Sequence, residues 1–398
     1  MRKAKRMDDK WTLRLVLFAT ALVVGSVAWG QEKQRLQYHT SNRPHPLVGL
    51  LAPKRLELTP KPPEGLVLPD FKSETPLFSK WPSPMAPNRF LWIALDRTSQ
   101  QGVYDKLLID SNADGLLKDE SAVAAHSSRP SQSQFGPINV ALKGDEGGMT
   151  HHLNFDFALQ ADGPRLHVRS GGWYEGDITV GQNTKHCVLI DQSANGAFND
   201  RSIDLADCDL IQIGKEGDRD ICLVGNFIQV DDELYRLEVA RDGTHVSLAP
   251  AKDVKFGTIR QQEEMSELEP GGENGMLTVK LEKGVGKLPV GKYRVYGWVI
   301  ERNDENGNLW TAKATSFGNP DVFEFTEGQE ISPEAGEPII STLDFYRRDA
   351  RCTIRHSWRG KSGEHLRLTR NGYDPPPAQV HIWNADKSYD RTFTFSHG

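Results

Sequence analysis

From residue 88 onward the chain repeats one pattern: short apolar runs in which every second residue is hydrophobic, cut by turn residues. Residues 138–142 and 152–157 alternate in this way, and 90–95, 104–109, 173–180, 227–230, 235–239 and 245–248 read as further short strands. Period two places alternate side chains on opposite faces, which is the requirement of a half-buried strand. Turn chemistry separates the runs: Gly-rich 144–148, Asp162-Gly163-Pro164, Asp242-Gly243 and Asn371-Gly372. A doubly wound α/β enzyme would need long amphipathic helices between strands, and this pattern supplies none. The charged stretch 261–269 is the one segment predicted helical, and Pro270-Gly271-Gly272 after it marks a boundary. The fold class expected is therefore mainly β: two β-sandwich or open-barrel modules, 86–260 and 261–398.

What precedes them reads differently. Arg2, Lys3, Lys5 and Arg6 are followed by the apolar stretch 15–24 and by Ala28-Trp29-Gly30, the layout of a signal peptide over 1–30. The apolar part is shorter than the roughly 20 residues that span a bilayer, so cleavage before Gln31 is expected, with no membrane span afterwards. Residues 31–85 are rich in Pro, as in Pro60-Lys61-Pro62-Pro63, and read as a linker or stalk lying along the next module. The whole chain carries a formal charge of −6; the first thirty residues hold six Lys/Arg and two Asp/Glu, so the remainder stands at −10. An exported acidic chain suits divalent cations and a cell-surface glycan or protein partner, not nucleic acid, which needs clustered Lys and Arg. Of the four cysteines, Cys187, Cys208 and Cys222 lie close in sequence and Cys352 apart. A Cys208–Cys222 or Cys187–Cys208 disulfide and plain buried thiols are both open, and the spacing argues against zinc.

Two strand-to-loop junctions carry the chemistry. Leu107-Leu108-Ile109 runs into Asp110-Ser111-Asn112-Ala113-Asp114-Gly115, with Asp119 and Glu120 following. Val188-Leu189-Ile190 runs into Asp191-Gln192-Ser193-Ala194-Asn195-Gly196, with Asp200 following, so the layout recurs as an internal repeat. Side-chain oxygens at positions 1, 3 and 5 and Gly at 6 are what a calcium loop needs, because Gly permits the sharp turn that keeps the oxygens pointing inward. The first loop resembles the calcium-binding loop of EF-hand and dockerin-type proteins. That resemblance implies Asp110, Asn112 and Asp114 as ligands, the Leu116 carbonyl at position 7, and Asp119 or Glu120 in place of the terminal Glu, since position 12 is Ser121. Here a strand, not a helix, enters the loop. The second copy offers Asp191, Ser193, Asn195 and Asp200, with fewer charges and hence lower expected affinity. Asp204, Asp207 and Asp209 beyond it read as an acidic surface or solvated strand ends.

Other features weigh less. Asn303–Asn308 with its Asn-Gly pair reads as a hairpin turn. His151-His152 on a strand would point to opposite faces and not share an ion. Leu288-Pro289-Val290-Gly291-Lys292-Tyr293-Arg294-Val295 resembles the turn-plus-strand signature of PEGA-type and carboxypeptidase-regulatory-like modules, which implies a β-sandwich there. No Gly-x-Ser-x-Gly elbow occurs, and no catalytic residue is singled out. The function expected is an exported non-enzymatic surface or periplasmic protein with a structural calcium loop. The alternative is a carbohydrate-binding protein stacking sugar on Trp173 and Tyr174, or an accessory domain of a hydrolase.

Overall fold

The alternation of the sequence is translated directly into burial. Along the strand Gln132–Gly144, Phe135, Ile138, Val140 and Leu142 turn inward while their neighbours face out. The computed structural model describes residues 32–395 apart from 42–44, 48–52, 101, 146, 219, 316–319 and 350, so the expected signal peptide lies outside the described residues. The fold is mainly β, and among the described residues the helical content is one 3-10 turn, Leu205–Asp207. Pairing is antiparallel almost throughout, Phe256–Arg260 with Glu330–Ile331 being parallel.

The region 86–260 folds as two sandwiches rather than one module. In the first, a four-stranded sheet (Leu77–Pro82, Phe90–Asp96, Lys106–Ile109, Val123–Ala124) faces a five-stranded sheet dominated by Gln132–Gly144, Gly147–Gln160 and Gly163–Ser170. Trp81, Ile93, Leu107, Phe135 and Phe155 interlock between them. In the second, a five-stranded sheet containing Gly172–Val180, Asn183–Ile190 and Leu210–Gly214 faces the meander Phe227–Val230, Glu233–Val239 and His245–Pro250. Ile178, Leu189, Phe198, Ile228 and Leu237 fill that core. Each runs in the same order: a hairpin, an Asp-x-x-x-x-Gly loop, a third strand of the same sheet, then a meander opposite, of four strands in the first and three in the second. Full burial of each large apolar side chain contributes about 1.5–3 kcal/mol, so each core can hold its two sheets together.

Two expectations change here, and the open choice for the cysteines falls to one of its stated alternatives. The Pro-rich stretch 31–85 is not a free linker: Gln34–Arg35, Gln37–Thr40, Lys54–Leu56 and Leu77–Pro82 pair with His245–Pro250, Gly172–Val180, Gly163–Ser170 and Phe90–Asp96. The predicted helix over 261–269 is instead a turn leading into the strand Met265–Gly272, which pairs with Gly291–Asn303 through two register shifts. Those shifts break the period of two and leave a charged, aperiodic string. The four cysteines are free thiols; Cys187 and Cys208 are buried, and burial pushes both up to about 12.

The C-terminal region is a large sheet around Gly291–Asn303 and Leu309–Thr315, packed on the small sheet of Phe256–Arg260 and Val285–Pro289 over Leu268, Tyr293 and Trp298. Tyr293 and Val295 both turn into that core, and the Tyr293 hydroxyl donates to the Pro289 carbonyl (2.9 Å). Further out, Ile340–Arg348 and Arg351–Arg359 extend the sheet into solvent, leaving Phe345 64% exposed.

Candidate cation-binding loops

Both loops are built by one carboxylate hooking the backbone that follows it. Asp110 is fixed at the end of its strand by its own N–H on the Trp92 carbonyl (2.9 Å). Its Oδ1 then accepts the Asp114 N–H and its Oδ2 the Gly115 N–H, both at 3.1 Å. At the second loop Asp191 Oδ1 accepts the Asn195 N–H (3.1 Å) and Oδ2 the Gly196 N–H (2.7 Å). Position 5 repeats the motif: Asp114 Oδ1 takes the Leu116 N–H (2.8 Å), and Asn195 Oδ1 the Ala197 N–H (2.8 Å). The hook forces left-handed backbone at positions 4 and 6, with φ of +58° at Ala113 and +52° at Ala194, then +78° at Gly115 and +89° at Gly196. An alanine in that conformation costs roughly 1–2 kcal/mol, which the carboxylate hydrogen bonds offset.

A distant carboxylate closes each loop. Glu120 Oε1 accepts the Ser111 N–H (2.7 Å) and both its oxygens lie against the Ser111 hydroxyl. Asp209 does the corresponding work in the second loop. Its Oδ1 takes the N–H groups of Gln192 (3.1 Å) and Ser193 (3.4 Å), and its Oδ2 takes that of Asp200 (2.9 Å). Asp209 is fully buried and is therefore not the surface residue expected, whereas Asp207 is exposed against Lys54.

The loops differ in what surrounds them. Asn112 and Asp114 face solvent, and the Asn112 amide donates to Asp114 Oδ2 (2.9 Å). Asp119 is exposed, and its N–H reaches the Leu116 carbonyl (3.4 Å). The structure thus gathers Asp110, Asn112 and Asp114 at one turn and brings Glu120 back to it through Ser111, while Asp119 is exposed. In the second loop the side chains close on one another: the Ser193 hydroxyl donates to Asp191 (3.2 Å) and Asp200 (2.9 Å), and the Asn195 amide to Asp200 (2.5 Å). Ala194 and Ala197 belong to the first sandwich's core and Phe198 to the second's, so this loop is the joint between them. The Trp81 indole N–H donates to the Ala194 carbonyl, and His151 lies between the Trp81 and Phe198 rings with Nε2 3.3 Å from Asp191 Oδ2.

His151 is the residue that sequence reasoning missed. Its strand position predicts only that it and His152 diverge, and they do: His152 contacts Tyr38 instead (3.2 Å). Electrostatics follow the burial. Burial raises Asp209 well above the usual carboxylate range, and the charges of Asp191 and Asp200 add to it. Asp200 is raised chiefly by burial and then by Asp191. Asp110 is raised by burial, with Asp114 as the neighbouring charge. Among the described residues no group of three or more His, Cys, Asp or Glu is arranged to hold a metal without rearrangement.

The sugar-stacking pair is already occupied within the chain. Tyr174 is buried against Tyr38 and Phe198, and Trp173 stacks on His39 and against His45. Asn303–Asn308 is the hairpin turn expected, with Asp304 Oδ1 holding the N–H groups of Asn306 and Asn308 (both 2.9 Å). No protein-family model matches the chain, and neither does any curated protein or solved structure.

Proposed function

We propose that this is an exported, non-enzymatic surface or periplasmic protein in which the Asp110 loop takes a structural calcium ion, and that the two sandwiches arose by internal duplication. One observation carries the reading: two loops 81 residues apart share the same positive-φ positions and the same carboxylate-to-N–H bonds. Asn112 and Asp114 present their oxygens at the surface, where an ion has access, while Asp110 itself is buried. Asp110, Asn112, Asp114, the Leu116 carbonyl and Glu120 would hold it, with Asp119 near enough in sequence to join. The ion would offset the repulsion between Asp110 and Asp114 that burial of Asp110 strengthens. In the second loop hydroxyl and amide donors of Ser193 and Asn195 fill the space between Asp191 and Asp200, which suits a hydrogen-bonded copy that no longer needs an ion.

Thermal unfolding in EDTA and then in millimolar calcium tests this, with Asp110→Ala/Asp114→Ala beside the wild type. A site at a hundred times its Kd adds about 2.7 kcal/mol, worth roughly 5–10 °C in a domain of this size. The double variant should lose the rise. An unchanged wild-type midpoint, or an equal rise in the variant, overturns the proposal.

A further inference from the structure

The strands Arg351–Arg359 and His365–Arg370 pair at two positions only, Trp358 with Leu366 and Arg359 with His365. The same register would continue through His356 with Leu368, but the ladder stops; further out the Arg370 N–H and carbonyl bond Tyr373 instead (2.7 and 3.0 Å), opposite Ile354. At the closed end the Gly360 N–H donates to the Glu364 carbonyl (3.0 Å), so even-numbered residues turn their backbone groups toward the other strand. At the other edge of the second strand, the Asn371 N–H donates to the Leu309 carbonyl (2.7 Å), which assigns the odd-numbered residues to the neighbouring strand Leu309–Thr315. His356, Ile354 and Leu368 therefore aim N–H and C=O groups into the opening. The opening is a groove of about 680 Å3, walled by Pro375–Ala378 and Phe395 and floored by Trp358, Ile354 and Leu368.

We propose that this groove binds an extended acidic peptide segment of a partner protein by strand addition. Two interrupted strand edges are a template for main-chain pairing, and alternate side chains of an added strand would meet the apolar floor. Charge selects the occupant. Exposed Arg355 and Arg367 flank the groove, with Asp374 pairing Arg367 at 3.0 Å. Residues 340–398 hold ten Lys/Arg against six Asp/Glu, whereas residues 31–339 hold 32 against 46. Beyond the first thirty residues, the basic excess thus lies in the part of the chain that carries the groove. It complements carboxylates on a ligand strand and steers their approach.

The probe is a fluorescein-labelled octapeptide of alternating Val and Glu, blocked at both ends and titrated with the full chain by anisotropy. Saturable binding is expected, at least tenfold weaker in Arg355→Ala/Arg367→Ala and lost when every second peptide nitrogen is methylated. Both arginines are exposed, so the variant keeps its fold, which circular dichroism checks. Absence of saturable binding, equal affinity for the methylated peptide, or an unchanged affinity in the variant overturns the proposal. So does binding of a polyuronate hexasaccharide with none of the peptide, which would make the groove a glycan site.

Discussion

The Asp110 and Asp191 loops share a backbone and a hydrogen-bond pattern, yet one keeps its outer side chains in water and the other lies between two hydrophobic cores. In the first, the side chains at positions 3 and 5 stay solvated, and removal of the hook leaves backbone groups that water can reach. In the second, the same hook holds the joint of the molecule, with His151, Trp81 and Phe198 packed around it. A single loop geometry thus serves either as an open ligand site or as a closed structural knot. Burial, not the motif, decides which.

Removing each hook is the strongest way to break that comparison. Asp191→Ala strips acceptors from the Asn195 and Gly196 N–H groups and leaves His151 buried without its carboxylate. A loss of about 2–4 kcal/mol is expected, because two N–H groups at the buried joint are left without acceptors. Asp110→Ala in EDTA should cost about 1–2 kcal/mol, as for loss of a cap at a partly solvated turn. Urea midpoints measure both, and equal losses would mean that burial does not distinguish the loops.

The glycines give the next largest contrast. A Cβ on Gly196 would stand 2.6 Å from Leu142 Cδ1 and 3.4 Å from the Trp81 ring, whereas on Gly115 its nearest neighbour is 3.9 Å away. Gly196→Ala adds overpacking to backbone strain and should cost about 3 kcal/mol; Gly115→Ala carries the strain alone, about 1 kcal/mol. Matching thermal shifts for the two would contradict the packing described around the second loop.

The acidic cluster around the second loop should show in the pH dependence of stability. Asp209 and Asp200 have folded pKa values above their unfolded ones, so their contribution is fully present below the unfolded value, near pH 4. It is lost as pH rises through the folded values. In EDTA, stability should therefore fall from pH 4 upward because of this cluster, and Asp209→Asn should flatten the fall even though its lost acceptor lowers the whole curve. Denaturant titrations from pH 4 to 8 test it, and an unchanged slope in Asp209→Asn would remove Asp209 as the source.

How much of this could be read from the chain follows the range of the interactions. The strand alternation, the Asp242-Gly243 and Asn303–Asn308 turns and the loop skeleton are local, and the sequence-level reading locates them. The burial of the second loop depends on Trp81 and His151, which are far away in sequence, so Asp209 reads as surface and the more charged first loop as the stronger feature. The early strands, such as Gln34–Arg35 and Lys54–Leu56, are two or three residues long, too short to show a period among prolines. The strand Met265–Gly272 hides because its bulges shift the apolar positions out of alternation.

The finest test uses position 4, where both loops hold an alanine at positive φ. Gly there relieves roughly 1–2 kcal/mol of strain and gives back about 0.4–1 kcal/mol through the freer unfolded chain. Ala113 is half-buried, so Ala113→Gly should stabilise by about 0.5 kcal/mol. Ala194 is 2% exposed in the first core, so its glycine variant also loses a buried methyl, worth about 0.8 kcal/mol, and should end slightly destabilised. Opposite signs from one substitution at equivalent positions would isolate burial as the variable. Equal signs would mean that the left-handed backbone, and not the surrounding core, sets the energetics of this position in both loops.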